Sequence, residues 1–238
     1  MNSSEWKIIH FTVTDSTNDL ARSVSADNPG SKMVFVAATQ TAGRGRRGHQ
    51  WSSLPGNLFF SLLLQYDICR CGELALLSSL TLSDVLKDLK PECDISLKWP
   101  NDVLLNKAKV SGILLEKGSA DDIIIGIGIN VLTYPDLSGY PATSLRAAGI
   151  EIAPADLLRR YLQKFDDNLL RLQKEGMPEL KERWLRQAYK LNEKIGIHLE
   201  KKDIYGIFKG LDDNGNLLLA TENSETVIAA GEVFFSGE

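Results

Sequence analysis

Cysteine is scarce in this sequence: Cys69, Cys71 and Cys93 are the only three in 238 residues. An odd count without metal-type spacing excludes a disulfide framework and points to a reducing compartment. Histidine is equally sparse, and His10, His49 and His198 are scattered, so no histidine-based metal or catalytic cluster is expected. Long apolar runs are missing, and none approaches the ~18 to 20 residues of a membrane-spanning helix. From Met1 to Phe11 there is no basic stretch followed by an apolar one, so no secretory leader is expected. Internal repeats and low-complexity segments are absent. A dominant charge is lacking too: the net charge is -4, so any nucleotide or nucleic-acid site needs a local basic patch. What remains is ordinary globular chemistry, 43% hydrophobic and 24% charged. A chain of this length fits one large domain, or one large and one small, at roughly 150 residues per domain.

Local patterns divide the chain. Strands are expected at Trp6–His10, Met33–Ala38 and Leu58–Leu64. Ser16–Val24 reads as a helix with Ser16 as its N-cap. The leucine-rich stretch Leu74–Leu89 reads as a mostly buried helix. Three short strands follow, Ile95–Trp99, Val103–Leu105 and Val110–Leu115, then Ile123–Val131 with Gly126 and Gly128 inside it. Helices are expected over Asp156–Leu172 and Glu179–Ala188, the second started by Pro178. After about Lys190 the character changes to five short strands, with Asn214-Gly215 as a hairpin signal, which suggests a small barrel. Phe208, Phe234 and Phe235 read as barrel core rather than as base-stacking platforms. Several connections in the first domain are too short for a crossover helix, so its sheet is expected to be mixed.

Gly43-Arg44-Gly45-Arg46-Arg47-Gly48 has the G-x-G-x-x-G spacing of a dinucleotide loop. Such a loop must open directly into a helix that holds the pyrophosphate. Here the chain continues through Pro55 and Gly56 with no helical stripe, which argues against that fold. Three arginines between glycines instead place several guanidinium forks, suited to phosphate or carboxylate oxygens, on a flexible backbone. A solvated basic turn is the plain alternative.

The set of motifs resembles the biotin protein ligases, the biotin–[acetyl-CoA-carboxylase] ligases. It comprises Asp15-Ser16-Thr17-Asn18, then Gln40 to Gly48 with Trp51, then Lys98-Trp99-Pro100-Asn101-Asp102. Lys109-Val110-Ser111-Gly112-Ile113-Leu114-Leu115-Glu116 and Gly126-Ile127-Gly128-Ile129-Asn130-Val131 complete it. Each motif is modest alone; five in the family's order are specific. The resemblance implies an α+β, mixed α/β catalytic domain over 1–190, related to class II aminoacyl-tRNA synthetases and lipoate ligases. It implies an SH3-like β domain over 191–238. It also implies a two-step reaction: biotin and ATP, with Mg²⁺, give biotinyl-5′-AMP, and a lysine of the biotin carboxyl carrier protein then takes the biotin. A homodimer through the sheet edge, a cytoplasmic location and no membrane partner belong to the same expectation. Family members that bind DNA carry a helix-turn-helix ahead of the ligase motifs. The early position of Ser16-Thr17-Asn18 leaves no room for one, so a monofunctional member without DNA binding is expected.

Residue by residue, structural and functional readings stand side by side. Ser16, Thr17 and Asn18 cap a helix on plain grounds; by resemblance they hold biotin, with Gln40, Gly43, Arg44, Gly45, Arg46, Trp51, Lys109 and Gly112. Lys109 opens an apolar run, where a lysine is usually exposed; by resemblance it meets the biotin carboxylate and the α-phosphate. Attack of one anion on another needs cations where charge accumulates, so Lys109 and Arg46 are the expected catalytic pair. Arg47 reads as solvated charge. Asn101, Asp102, Gly126, Gly128 and Asn130 are assigned to the nucleotide, with no metal ligands assigned. Glycine inside a strand means either a close ligand or tight packing. Rival readings are a lipoate or octanoate ligase or transferase of the same fold, and a non-catalytic nucleotide-binding module.

Overall fold

The computed structural model describes residues 6–136, 141–200, 202–222 and 224–235. Strand β1 (Lys7–Thr14) pairs in parallel with β2 (Met33–Gln40), and α1 (Thr17–Asp27) connects them. Every other pairing in this sheet is antiparallel. β3 (Leu58–Gln65) lies beside β2 and is followed by α2 (Cys71–Leu89). Then come β4 (Ile95–Lys98), β5 (Asp102–Leu105), β6 (Ala108–Lys117) and β7 (Asp122–Ile129), giving the order β1-β2-β3-β7-β6-β5-β4. The sheet is mixed, as the short connections predicted.

Its two faces read off the strand alternation. Val34, Val36, Ile123, Ile125, Ile127 and Ile129 point into a large core with α2, α3 (Pro154–Glu175) and α4 (Met177–Leu185). Met33, Phe35, Leu63 and Ile124 point the other way and pack with Ala21, Leu20 and Val24 of α1. β3 and β7 are central and covered on both faces, hence their nearly unbroken apolar sequences. On the α1 side the helix covers one end of the sheet, and the other end is the floor of the cavity described below.

Many elements run longer than their patterns suggested, while β4, β7 and the last helix are shorter. That helix ends at Leu185 rather than Ala188, because Ala188 makes a parallel bridge to Leu97 and Tyr189 N donates to Leu97 O (2.8 Å). The chain leaves the helix to cover the exposed edge of β4, an edge that would otherwise template foreign pairing.

The second sheet is antiparallel, β8 (Lys194–His198), β9 (Asp203–Leu211), β10 (Leu217–Ala220), β11 (Glu225–Ile228) and β12 (Glu232–Phe234), in the order β11-β10-β9-β8-β12. The β9–β10 hairpin turns at Asn214-Gly215 through a five-residue loop. Asp212 organises it, accepting from Asn214 N (2.9 Å) and Asn216 N (2.8 Å), while Gly215 takes φ +79°. Phe208 is core, as expected. Phe234 and Phe235 are only half-buried: Phe234 stacks on His198 and Phe235 meets the edge of Tyr189. Trp99 Nε1 donates to Gly215 O (3.0 Å), fastening the small sheet to the first domain beside β4.

Candidate functional site

A cavity of about 520 Å³ opens on the α1 side of the large sheet. Its floor is Gly112 of β6 with Gly126 and Gly128 of β7. A Cβ on Gly126 would lie 2.3 Å from Asn18 Oδ1, and one on Gly128 would lie 2.3 Å from the Trp51 indole. Close approach and ligand channel therefore coincide: the groups that need the missing Cβ atoms are themselves walls of the cavity.

At one end stands the start of α1. Ser16 occupies the N-cap position, but its side chain makes no capping hydrogen bond, which corrects the capping expectation. Ser16 and Thr17 are each 3% exposed and Asn18 4%, so the triplet is packed rather than solvated. Gln40 is no free strand end: its Oε1 accepts from Thr17 N (2.9 Å) and Thr17 Oγ1 (3.1 Å), and its Nε2 donates to Ser53 Oγ (3.2 Å). Asn18 Nδ2 donates to Glu116 Oε2 (2.6 Å), and Ser61 Oγ donates to Asn18 Oδ1 (2.5 Å).

The glycine loop closes one side. Trp51 N donates to Gly43 O (2.9 Å) and Gly45 N to His49 O (2.7 Å), so the loop folds back on itself as a hairpin. Only a single 3-10 turn, Arg46–Gly48, occurs within it, and no helix opens from it, in keeping with the rejection of a dinucleotide loop. Arg44 grips both oxygens of Asp19 (2.6 and 2.7 Å). That hydrogen bond holds the Asp19 carboxyl below its usual range and raises the Arg44 guanidinium. Arg46 is turned inward. Burial lowers its guanidinium pKa, with Asp102 and Glu232 nearby opposing the shift, and its Nη1 donates to Gly231 O (3.2 Å). Arg47 is exposed, as expected of a solvated charge, and its Nη1 also donates to His198 O of the small sheet (2.7 Å). Gly43 alone among the expected residues does not line the cavity. A Cβ there would lie 2.8 Å from Trp51 O, so its glycine lets the two arms of the loop close.

At the other end sit Asn101, Asp102, Lys109 and Asn130. Lys109 Nζ pairs with Asp102 Oδ1 (2.7 Å) and lies 5.6 Å from the Trp51 ring centre. Lys109 is not on an edge: β6 lies between β5 and β7, and the side chain is 26% exposed. Strict alternation would point Lys109 into the large core and Val110 into the cavity. The β5–β6 register slips between Val103 and Leu104, and this bulge reverses the two. Val110 is fully buried and Lys109 faces the cavity. Asn101 Nδ2 donates to Ile113 O (2.5 Å) and Asn130 Nδ2 to Thr143 O (3.0 Å). Asn130 Oδ1 and Trp51 Nε1 are buried without a hydrogen-bond partner among the described residues, which leaves one acceptor and one donor for a ligand.

The sequence reading missed several wall residues. Lys98, 5% exposed and 5.2 Å from the Phe235 ring centre, lines the cavity, as do Glu232 and Val233 from β12. Glu116 and Ser61 stand behind Asn18. Lys98 and Glu116 lay within quoted motifs; nothing local marks Glu232 or Val233, which arrive from the far end of the chain. Among the described residues no cluster of three His, Cys, Asp or Glu could cage a metal ion. Magnesium needs no such cage when phosphates and water supply most of its oxygens. Asp102 and the open Asn130 Oδ1 are hard oxygen donors that fit an ion delivered with a nucleotide.

Comparison with known proteins gives a consistent picture. Residues 10–130 match the Biotin/lipoate A/B protein ligase family, and residues 190–236 match the Biotin protein ligase C terminal domain. The Paracoccus denitrificans biotin–[acetyl-CoA-carboxylase] ligase is 35% identical over 94% of this chain and 98% of its own. The Bacillus subtilis bifunctional ligase/repressor BirA is 33% identical over 95% of this chain and 73% of its own. Among solved structures, the Aquifex aeolicus biotin protein ligase in complex with biotin and ATP superposes with a TM-score of 0.82. It is 31% identical, covering 96% of this chain and 97% of the other.

Proposed function

The chain belongs to the biotin/lipoate protein ligase family, and from that premise we propose how its cavity divides the work of a biotin protein ligase. The enzyme activates biotin with ATP to biotinyl-5′-AMP and transfers the biotin to a lysine of a carboxyl carrier protein. In the first step a biotin carboxylate oxygen attacks the α-phosphorus, and the bond to the bridging oxygen breaks to release pyrophosphate. A carboxylate needs no general base at neutral pH, which suits a cavity lined by His49 alone among the histidines. In the second step the carrier's lysine amine attacks the anhydride carbonyl, loses its proton, and AMP departs.

The observation that carries the assignment is the polarity of the cavity. Neutral hydrogen-bonding groups, Ser16, Thr17, Asn18 and Gln40, crowd the α1 end, and cations, Lys109 and Arg46, stand further along. We assign the biotin ring to the first group and the junction of carboxylate and α-phosphate to the second. Lys109 acts as a point charge and Arg46 as a fork, both placed where negative charge gathers in the transition state. Arg44, Gly45, Trp51 and Gly112 enclose the biotin chain. Asn101, Asp102, Gly128 and Asn130 take the nucleotide, whereas Gly126, expected there too, lies against Asn18 and belongs to the biotin end. Asp102 and Asn130 would hold magnesium, which would neutralise charge at the phosphates. We place these duties in residues 1–190, with residues 191–238 closing the cavity through Glu232 and Val233. The acceptor is read as the carrier protein of acetyl-CoA carboxylase, the location as the cytoplasm, and the edge strand β1 as the surface for a homodimer. No DNA role is assigned.

One experiment tests the reading. Incubation with biotin, ATP, Mg²⁺ and a biotin carboxyl carrier domain should raise the carrier's mass by one biotinyl group. Thermal stabilisation by lipoate but not biotin, with no mass increase, would overturn it in favour of a lipoate enzyme.

A further inference from the structure

Glu116 lies behind the cavity rather than in its wall. Alternation along β6 puts it on the same face as Gly112 and Leu114, beneath α1. Its side chain is 23% exposed. One oxygen, Oε2, accepts from Asn18 Nδ2 at 2.6 Å, and the other, Oε1, pairs with Arg22 at 3.1 Å. Arg44 of the glycine loop comes within 3.7 Å of Oε2.

An ionised carboxylate only accepts hydrogen bonds. Of the two groups on the Asn18 amide, the NH₂ must therefore face Glu116, and Oδ1 must face the other way. There it meets Ser61, which is fully buried. Ser61 has one hydroxyl proton and two claimants: Asn18 Oδ1 at 2.5 Å and Thr17 Oγ1 at 2.7 Å. Thr17 directs its own proton to Gln40 Oε1. Gln40 Oε1 has both of its donors in Thr17 N and Oγ1, so the shortage falls on Thr17 Oγ1 and Asn18 Oδ1, which compete for the one Ser61 proton and leave one acceptor over. That surplus matches a ligand bringing N–H groups, as a cyclic urea does. If the Asn18 amide turned over, one acceptor would become a donor and the match would be lost.

We propose that Glu116 is a positioning residue of the ligase: it fixes the orientation of the Asn18 amide, and through it the surplus acceptor that meets an N–H of the ureido ring of biotin. The proposal rests on the biotin reading of this cavity. Glu116 touches no reacting atom. Gly126 assists from the opposite side, since without a Cβ it lets Asn18 lie against β7 while Glu116 holds its other edge.

The test follows pyrophosphate release by the full chain with biotin and MgATP. Glu116→Ala leaves a buried Asn18 donor unpaired and should raise the biotin KM about tenfold or more. The ATP KM and the rate at saturating biotin should stay within about threefold. Glu116→Gln retains an oxygen for Asn18 and should recover most of the biotin affinity. Asn18→Asp sets two carboxylates against each other and should bind biotin worst of all. Adding Glu116→Gln to Asn18→Asp restores a donor–acceptor pair and should improve binding over Asn18→Asp alone. A general loss of packing would move both KM values and the rate together and would show no such rescue. A wild-type biotin KM in Glu116→Ala, or a double variant no better than Asn18→Asp, overturns the proposal while the biotin reading stands. A wild-type enzyme that releases no pyrophosphate with biotin overturns both.

Discussion

At the α1 end of the cavity, buried polar side chains are held by short hydrogen bonds to one another; at the small-sheet end, charges ride on turns and lean on backbone carbonyls. Thr17, Asn18, Gln40, Ser61 and Glu116 come from a helix and three strands of one packed layer. Arg46 and Arg47 come from one hairpin and are held by carbonyls of Gly231 and His198, while Arg44 of the same hairpin reaches back to Asp19 of α1 through a half-exposed ion pair. Partly exposed contacts of that kind contribute on the order of 0–1 kcal/mol each. The first end is set before ligand arrives, as recognition of a small neutral ring requires. The second can yield, as a site requires that must admit ATP, release pyrophosphate and then receive a protein.

The sharpest contrast should come from Lys109, which belongs to the yielding end by function but to the rigid sheet by anchorage. Lys109→Ala removes a cation from the reacting centre without removing core. Adenylation should fall by about 10²- to 10³-fold, in the range of deleting an oxyanion-stabilising donor. Biotin binding in the absence of ATP, read by calorimetry, should change far less, because the ring's partners stand elsewhere. Equal losses of binding and rate would mean that the two ends are not separate. Arg46→Ala should behave similarly, with a smaller loss, since its guanidinium is also held by Gly231 O.

Glycines separate the two ends in a second way. Gly126→Ala drives a Cβ to within 2.3 Å of Asn18 Oδ1, and Asn18 is pinned by Glu116 and Ser61. Overpacking of this kind costs about 1 to 3 kcal/mol, so the melting temperature should drop by several degrees and biotin affinity should fall with it. Gly45→Ala meets His49 O at 3.5 Å and His49 Cβ at 3.7 Å, both ordinary contacts, and should leave the melting temperature unchanged. The reverse result would show that the loop, not the strand floor, is the rigid part.

Legibility in the sequence follows the same division. The apolar runs of β3 and β7 and the leucines of α2 announce a double-sided core, so the elements were readable from their patterns. The motif residues converge on one cavity because each sits at an element's end or on the α1 face of a strand. Three things resisted. The bulge that turns Lys109 inward depends on pairing between β5 and β6, and alternation along β6 alone predicts the opposite. The contact of exposed Arg47 with His198 O joins positions 151 apart, which no local pattern shows. Glu232 and Val233 belong to a three-residue strand whose relevance comes only from how the small sheet docks.

A smaller, graded effect is expected in the loop itself. Residues 41–50 should be cut by protease in the free enzyme and protected several-fold by biotin with ATP. Ordering a residue costs ~1 to 2 kcal/mol, and the loop's own exposed contacts barely offset that. A nucleotide and a carboxylate add charge-assisted partners for Arg44 and Arg46. If the cutting rate is the same with and without ligands, the loop is as preset as the α1 end.

The smallest effect should be none. A loop with three arginines invites external phosphate, and a gel shift with duplex DNA carrying a biotin-operator sequence, at moderate salt with biotin and ATP present, measures whether it is taken up. Nonspecific binding draws on cations free to displace counterions along the duplex. Here Arg44 is held by Asp19 and Glu116, Arg46 is turned into the cavity, and Arg47 is held by His198 O. The chain's net charge of -4 adds repulsion at longer range. No retardation is expected. A salt-tolerant shift would show that the loop's cations remain available to outside partners, and the yielding end would then be a second binding surface rather than the closing side of one cavity.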